Sequence, residues 1–468
     1  MKRVLIIFYS HPIEASLTAL FRGLEVCNPD EVIIISTRRR GDEVRKLLGI
    51  LKNIKFRIFT SIPDIETSFN EIPQVIDHIK NIFKSLTYDE ICFVSSAGSR
   101  IEVSALSMVL DRSKTTVLYV SFPWGPWTGS FYPYTPKPIQ IVHEIHGSGV
   151  LPVVGFKISS INHGLIKNLT LPSFRKDVLL TQFILNTQLA ETPCYATRDS
   201  IDCMCPTLYI DIVYKGMSRI HIRINNYCSW DNVIRSLDEL AKGVVEFKST
   251  VHDEIYKILE LMLKISGIYV PVIDECSFGC RDLKDVILID SLDKINRNII
   301  ADTNIIYSGL HNQIYERENK IRRYLELPLC LYLELYEHQA QFKSPYTRIR
   351  SLIAQLLADE INFWKLPTNN YIAHKPCEVG IALELARSRE CIAITADRHA
   401  YERLFRFMNL ESILVKPQIL SKVKFLTNEK SRRASYAYYA LAQFIALARR
   451  LSNELNKYTL RIEAKFEF

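Results

Sequence analysis

Ile299-Ile300-Ala301-Asp302-Thr303-Asn304 is an apolar run closed by a carboxylate and two small polar residues, and its reading decides the architecture of the C-terminal half. Apolar residues in unbroken succession belong to a strand buried on both faces, the pattern of a parallel sheet covered by helices. A second such run, Ile392-Ala393-Ile394-Thr395-Ala396-Asp397, also ends in an aspartate. Between them stand Glu334, in Leu333-Glu334-Leu335-Tyr336-Glu337-His338, and Glu378, which opens a helical pattern. Acids carried to the carboxyl ends of parallel strands meet in the crevice where open α/β sheets bind ligands. Clustered oxygen donors suit Mg²⁺ or Mn²⁺, which take one or two carboxylates and leave room for water and a phosphate. Such an ion neutralises a scissile phosphate and activates water, and a pair of ions clamps the attacking and leaving oxygens. Asp302, Glu334, Glu378 and Asp397 are therefore the candidate catalytic carboxylates and metal ligands for phosphodiester hydrolysis. Each acid taken singly also has an ordinary reading, as a helix cap for Asp or a solvated side chain for Glu.

Together, strand-Asp-Thr-Asn, strand-helix-Glu, helix-Glu and strand-Thr-x-Asp resemble the PIN-domain family of metal-dependent ribonucleases over residues 291–425. The spacing from Glu378 through Ala386 to Thr395-Ala396-Asp397 is especially similar. The resemblance implies that Asp302 is the first-strand metal ligand, that Glu334 is the acid after the second strand, and that Glu378 and Asp397 complete the cluster. It also casts Asn304 and Thr395 as groups that orient the ligands through hydrogen bonds, a role whose loss costs about ten- to hundredfold. The family usually has Asp where this chain has Glu378, so Glu337 and Glu384 stand as alternative third ligands.

In the first 120 residues apolar runs alternate with helical patterns. Strands are expected at Val4 to Tyr9, Glu31 to Ser36, Lys55 to Thr60, Glu90 to Val94 and Thr116 to Val120, with helices near Ala15 to Glu25, Gly41 to Leu51, Ile72 to Phe83 and Ile101 to Leu110. The fold expected is α/β, a doubly wound parallel sheet. Its ligand loops are Ser10-His11-Pro12, Thr37-Arg38-Arg39-Arg40-Gly41 and Ser95-Ser96-Ala97-Gly98-Ser99-Arg100, the last leading into a helix N-terminus that offers N–H groups to an anion. No P-loop and no G-x-G-x-x-G is present, so neither an NTPase nor a dinucleotide dehydrogenase is indicated. The fourth strand with its Ser-Ser-Ala-Gly-Ser-Arg loop resembles the ligand loop of CARF domains, sensors of CRISPR-associated proteins, in which the usual Thr-Gly-Gly-Thr-Lys type loop appears here in altered form. That resemblance implies a homodimer binding cyclic oligoadenylate, with Ser10, His11, Ser96, Gly98, Ser99 and Arg100 as ligand-binding positions. Pro123-Trp124-Gly125-Pro126-Trp127-Thr128-Gly129 reads either as a stacking surface for adenine or as a hydrophobic cover.

With 468 residues the chain exceeds one ordinary core. The reading divides it into a CARF-like sensor at 1–190, a mixed connector at 191–290 with a hairpin at Thr207 to Tyr214 and Arg219 to Ile224 and a helix at Ile255 to Ile265, a PIN-like α/β domain at 291–425, and a basic amphipathic helix at 426–468. From Lys430 to Phe468 eight Lys and Arg face three Glu, a balance of +5. Tyr436, Tyr438, Tyr439 and Phe444 in that tail either stack on bases or pack on the nuclease domain. The cysteines lack paired C-x-x-C spacing, so buried free thiols are expected rather than a zinc site. No stretch has the length of a membrane span, and a cytoplasmic location without membrane partner is expected. No histidine has Arg five to seven positions upstream, so His338 and His399 look unlike the residues of a HEPN-type ribonuclease and the carboxylate reading gains. The function expected is a ligand-regulated, Mg²⁺- or Mn²⁺-dependent endoribonuclease acting on single-stranded RNA in CRISPR antiviral defence. The alternative is a CARF-containing transcriptional regulator with an inactive PIN-like domain.

Overall fold

The computed structural model describes all residues except 1, 10–12, 38–39, 41–43, 45–55, 63–71, 123–124, 128–129, 131–133, 147–170, 190–193, 197–200, 204, 250–252, 370–371, 374, 389–390 and 468. The chain is mixed α/β with two largely parallel sheets, and it divides into two compact units. Unit 1 comprises Met1–Phe122, Gly129–Asn168 and Gln182–Pro206; unit 2 comprises Pro123–Thr128, Leu169–Thr181 and Thr207–Phe468.

Unit 1 is built on β1 (Arg3–Phe8), β2 (Glu31–Thr37), β3 (Phe56–Ile62), β4 (Glu90–Val94), β5 (Thr115–Ser121) and β6 (Ile141–His146), in the order β3-β2-β1-β4-β5-β6. All neighbours are parallel except β6, which runs antiparallel to β5. Val4, Leu5, Ile6, Ile7 and Phe8 are all buried, as a central parallel strand between two helical layers requires. Helices Ile13–Cys27, Ile72–Lys84 and Arg100–Val109 match three of the four expected; the one expected at Gly41 to Leu51 lies outside the described residues. The half-exposed β6 escaped the sequence reading because its Ile-Val-His-Glu-Ile-His pattern buries neither face. A two-stranded pair, β7 (Cys194–Ala196) with β8 (Ile201–Cys203), also belongs to this unit.

Unit 2 holds two sheets. The hairpin β9 (Thr207–Tyr214) and β10 (Met217–Ile224) turns at Lys215 and Gly216, both at positive φ. Two successive left-handed residues are what a two-residue turn needs to follow the strand twist. The larger sheet has β11 (Tyr269–Cys276), β12 (Ile299–Ala301), β13 (Leu325–Pro328), β14 (Thr368–Asn369), β15 (Ile392–Thr395) and β16 (Ser412–Ile419), in the order β11-β16-β15-β12-β13-β14. Only β11 is antiparallel to its neighbour. The expected helix at Ile255 to Ile265 is present as Asp253–Ile265.

The C-terminal segment departs from the expected single basic helix. Helix Glu429–Lys457 is followed by β17 (Leu460–Glu467), which pairs antiparallel with β9. The helix is core, not a solvated arm: Tyr436, Tyr438, Tyr439 and Phe444 are each at most 1% exposed, so packing accounts for the aromatic run. Their polar atoms are met inside, with Tyr438 donating to the Tyr227 carbonyl at 2.7 Å and Tyr436 to Glu316 at 2.8 Å. Trp127 packs edge-on to Tyr439 at 5.0 Å and donates to the Ser435 carbonyl at 3.1 Å, so its place is also structural. Trp124 lies outside the described residues. Arg175 sits over the Tyr315, Tyr439 and Trp127 rings at 4.2, 4.9 and 5.6 Å and donates to the Pro126 carbonyl at 2.9 Å. Among the described residues no helix is long and apolar enough to cross a membrane.

Candidate active site

In the larger sheet of unit 2 the strand order reverses between β12 and β15, the topological switch point at which doubly wound sheets bind ligands. Asp302 follows β12 and Asp397 follows β15, so the two predicted aspartates flank that point. Each also caps the helix that follows it. Asp302 accepts from the Asn304 N–H at 2.7 Å, and Asp397 from the His399 N–H at 2.7 Å. The capping and the functional readings therefore coincide rather than compete.

Thr395 ties the pair together. Its hydroxyl donates to Asp302 Oδ2 and accepts from the Asp397 backbone N–H at 2.9 Å. Asn304 reaches Asp302 through its backbone N–H rather than through its side-chain amide. Glu334 lies on helix Leu329–Gln339 and accepts from the Cys377 N–H at 2.7 Å; Glu378 is the next residue, in the first turn of helix Cys377–Ser388. Of the alternative third ligands, Glu337 pairs with Lys375 and Glu384 lies 4.0 Å from Arg387, whereas Glu378 is electrostatically coupled to Glu334 and Asp397.

The electrostatics bind the four acids into one group. Asp302 is 1% exposed, and burial, reinforced by the charges of Glu378 and Glu334, pushes its pKa up to about 7 against the hydrogen bonds from Thr395 and Asn304. Burial likewise raises Glu378, helped by Glu334 and Asp397. Among the described residues none of the four carries a salt bridge. Like charges gathered without a cationic side chain between them favour a bound cation. The donor set is all oxygen, which fits a hard divalent ion. Among the described residues no three His, Cys, Asp or Glu side chains are placed to hold a metal ion together, these four acids included. Mg²⁺, which keeps several waters and needs only one or two carboxylates, fits such a set better than a caged structural ion.

Beside Glu334 the structure adds a group that the sequence did not single out. His338 meets the Tyr307 hydroxyl at 2.9 Å and Arg350 at 3.1 Å, and burial with the Arg350 charge lowers its pKa to about 4, so it is neutral at physiological pH. Arg350 lies on a separate helix, Pro345–Trp364, and nothing local in the sequence signals its approach.

In place of isolated free thiols, cysteines stand in pairs at Cys27–Cys92, Cys276–Cys280 and Cys330–Cys377, the last joined as a disulfide. The last joins the helix carrying Glu334 to the residue preceding Glu378, with Cα atoms 5.1 Å apart across 47 residues of sequence. Closing a loop of that length restricts the unfolded chain by an amount worth about 2–4 kcal/mol. Cys330→Ser is expected to lower the melting temperature by several degrees, as calorimetry under oxidising conditions would register.

In unit 1 the corresponding reversal of strand order falls between β1 and β4, and the Ser95–Arg100 loop follows β4. Much of this loop is committed to holding itself. Ser96 Oγ accepts from the Val120 N–H at 2.6 Å. Ser99 caps helix Arg100–Val109 in a reciprocal capping box with Glu102. Gly98 sits at φ +98°, and a Cβ there would come within 2.8 Å of Phe8 Cβ, so glycine is required by backbone and packing together. Arg100 is exposed at the first position of the helix. Ser10 and His11 lie outside the described residues. Compared with protein-family models and with curated proteins, the chain matches none.

Proposed function

We propose that the chain is a metal-dependent endoribonuclease whose activity is controlled by a ligand of unit 1. The observation that carries the first half is the meeting of Asp302 and Asp397 at the switch point of the unit 2 sheet, electrostatically coupled through Glu378 and Glu334. A PIN-like site explains why acids held up by burial and mutual repulsion stand together without a cationic side chain. Mg²⁺ or Mn²⁺ would be held by one or two at a time of Asp302, Glu334, Glu378 and Asp397, with water completing its shell. When bound, the ion supplies positive charge for the scissile phosphate and acidity for the attacking water. The protein's own part is orientation: Thr395 fixes the two aspartates, the Cys377 N–H fixes Glu334, and the Cys330–Cys377 link restrains the helices that carry the two glutamates.

The second half rests on the doubly wound order of the unit 1 sheet and on the Ser95–Arg100 loop at its switch point, which support a CARF-like sensor. On this reading the protein is a homodimer that binds cyclic oligoadenylate in CRISPR antiviral defence and acts on single-stranded RNA. The test is cleavage of a labelled single-stranded RNA by the full chain in Mn²⁺, Mg²⁺ or EDTA, with and without cyclic tetra- and hexa-adenylate. Cleavage that needs metal and rises with ligand is expected. Cleavage indifferent to either cyclic ligand removes the sensor half, and ligand binding with no cleavage in any metal removes the nuclease half.

A further inference from the structure

One helical turn beyond Asp397 the chain enters a cleft. The Tyr401 N–H donates to the Asp397 carbonyl at 3.0 Å, and Tyr401 lines an open cavity of about 660 Å³ with Arg406, Asn409 and Leu410 on one side and residues 274–284 on the other. That volume is in the range of small-ligand sites, about 300–1,000 Å³. Its charges are unevenly used. Asp274 and Glu275 are answered by Arg398 at 2.7 and 3.0 Å, and Asp274 by Lys416 at 3.0 Å. Arg281, Lys284 and Arg406, which also line the cleft, have no carboxylate partner among the described residues. Beside Arg406 stands Phe407, 87% exposed, and Arg403 is exposed one turn earlier.

A phenyl ring left almost wholly in water beside unpaired guanidinium groups has no role in packing. Together these groups supply the two elements that bind a single strand without regard to sequence: cations that follow the phosphates and an aromatic face for a base. We infer that this cleft holds the single-stranded nucleic acid flanking the scissile bond, its lining residues Arg281, Lys284 and Arg406 meeting phosphates, with the exposed Arg403 and Phe407 of the same helical segment extending the surface, Phe407 as a stacking face for a base. The inference rests on the nuclease reading for its location and substrate, and on the cleft's own residues for its chemistry. Arg398 and Lys416 offset part of the charge of Asp274 and Glu275, since they also pair with Glu402 and Asp285.

The test measures binding rather than cleavage. A fluorescein-labelled single-stranded oligoribonucleotide is titrated with the full chain in EDTA, and anisotropy is followed for wild type, Phe407→Ala and Arg281→Ala/Arg406→Ala. Phe407→Ala is expected to weaken binding about tenfold. The double arginine variant is expected to weaken it at least as much and to flatten the salt dependence by about one phosphate contact per cation lost. All three altered side chains of the cleft are exposed, and circular dichroism confirms that the variants are folded. Wild-type affinity in both folded cleft variants, or no binding by the wild type, overturns the inference. Cleft-dependent binding by a protein that cleaves nothing supports it while removing the nuclease reading, and metal-dependent cleavage unaffected by the cleft variants does the reverse.

Discussion

Asp302→Asn is expected to abolish metal-dependent cleavage, lowering kcat on the order of a thousandfold while leaving the affinity for RNA nearly unchanged. A metal ion contributes several kcal/mol of charge stabilisation in the transition state, and about 4 kcal/mol corresponds to that factor. Asparagine keeps the shape and the hydrogen bond from the Asn304 N–H, so the helix start survives. A second readout separates function from structure. Below about pH 4 Asp302 is protonated whether the chain is folded or not; as pH rises towards 7 the unfolded chain loses this proton while the folded one retains it. The unfolded state then binds fewer protons, so stability falls with rising pH across that window and the full penalty is present above 7. Without metal, the variant should melt several degrees above wild type at pH 8 and equally near pH 4. Adding Mn²⁺ should reverse the order at pH 8, because binding to the native state stabilises only the chain that binds. Equal melting of both proteins across the pH range would show that Asp302 is not held in the strained, buried state described, and wild-type cleavage by the variant would remove it from the site.

Arg432→Met should destabilise unit 2 by about 3–5 kcal/mol, the cost of removing one partner from a buried ion cluster. Arg432 Nη1 lies 2.6 Å from Asp290 Oδ2, its Nε 2.6 Å from Glu316 Oε1 and its Nη2 3.0 Å from Glu316 Oε2. Burial works against the guanidinium's charge, yet the two carboxylates hold its pKa above the ordinary value. Three segments meet there: helix Leu288–Ile295, the Glu316 region and helix Glu429–Lys457. Methionine would leave two carboxylates buried and unanswered. A fall in melting temperature of about 10 °C is expected at neutral pH. Further replacement of Asp290 by Leu and Glu316 by Met should recover much of the loss, since whole clusters often yield to apolar groups at little cost. A shift under two degrees for Arg432→Met would show that the cluster is not buried in solution.

The strand-ending acids were legible because their signal is local. A strand buried on both faces announces itself as an unbroken apolar run, and the residue that ends it stands at the sheet's carboxyl edge. Asp302, Asp397 and most of the unit 1 strands follow from that rule. Thr395 was legible for the same reason, sitting two residues before Asp397. What escaped is set by distant partners. Leu460–Glu467 is an unremarkable alternating segment until β9 is beside it, and β14 is only two residues long. Cys330 and Cys377 show no motif spacing, and Arg432 reads as one more basic residue until Asp290 and Glu316 surround it. The aromatic residues of helix Glu429–Lys457 were ambiguous because burial and exposure both make use of tyrosine.

The long C-terminal helix and β17 also govern when unit 2 can complete its core during synthesis. A chain arrested before Glu429 already carries Asp302, Glu334, Glu378 and Asp397. It lacks the helix that fills the unit 2 core and the cation that satisfies Asp290 and Glu316, and β9 has no partner on one edge. The four acids are thus synthesised well before the last elements of the core that surrounds them.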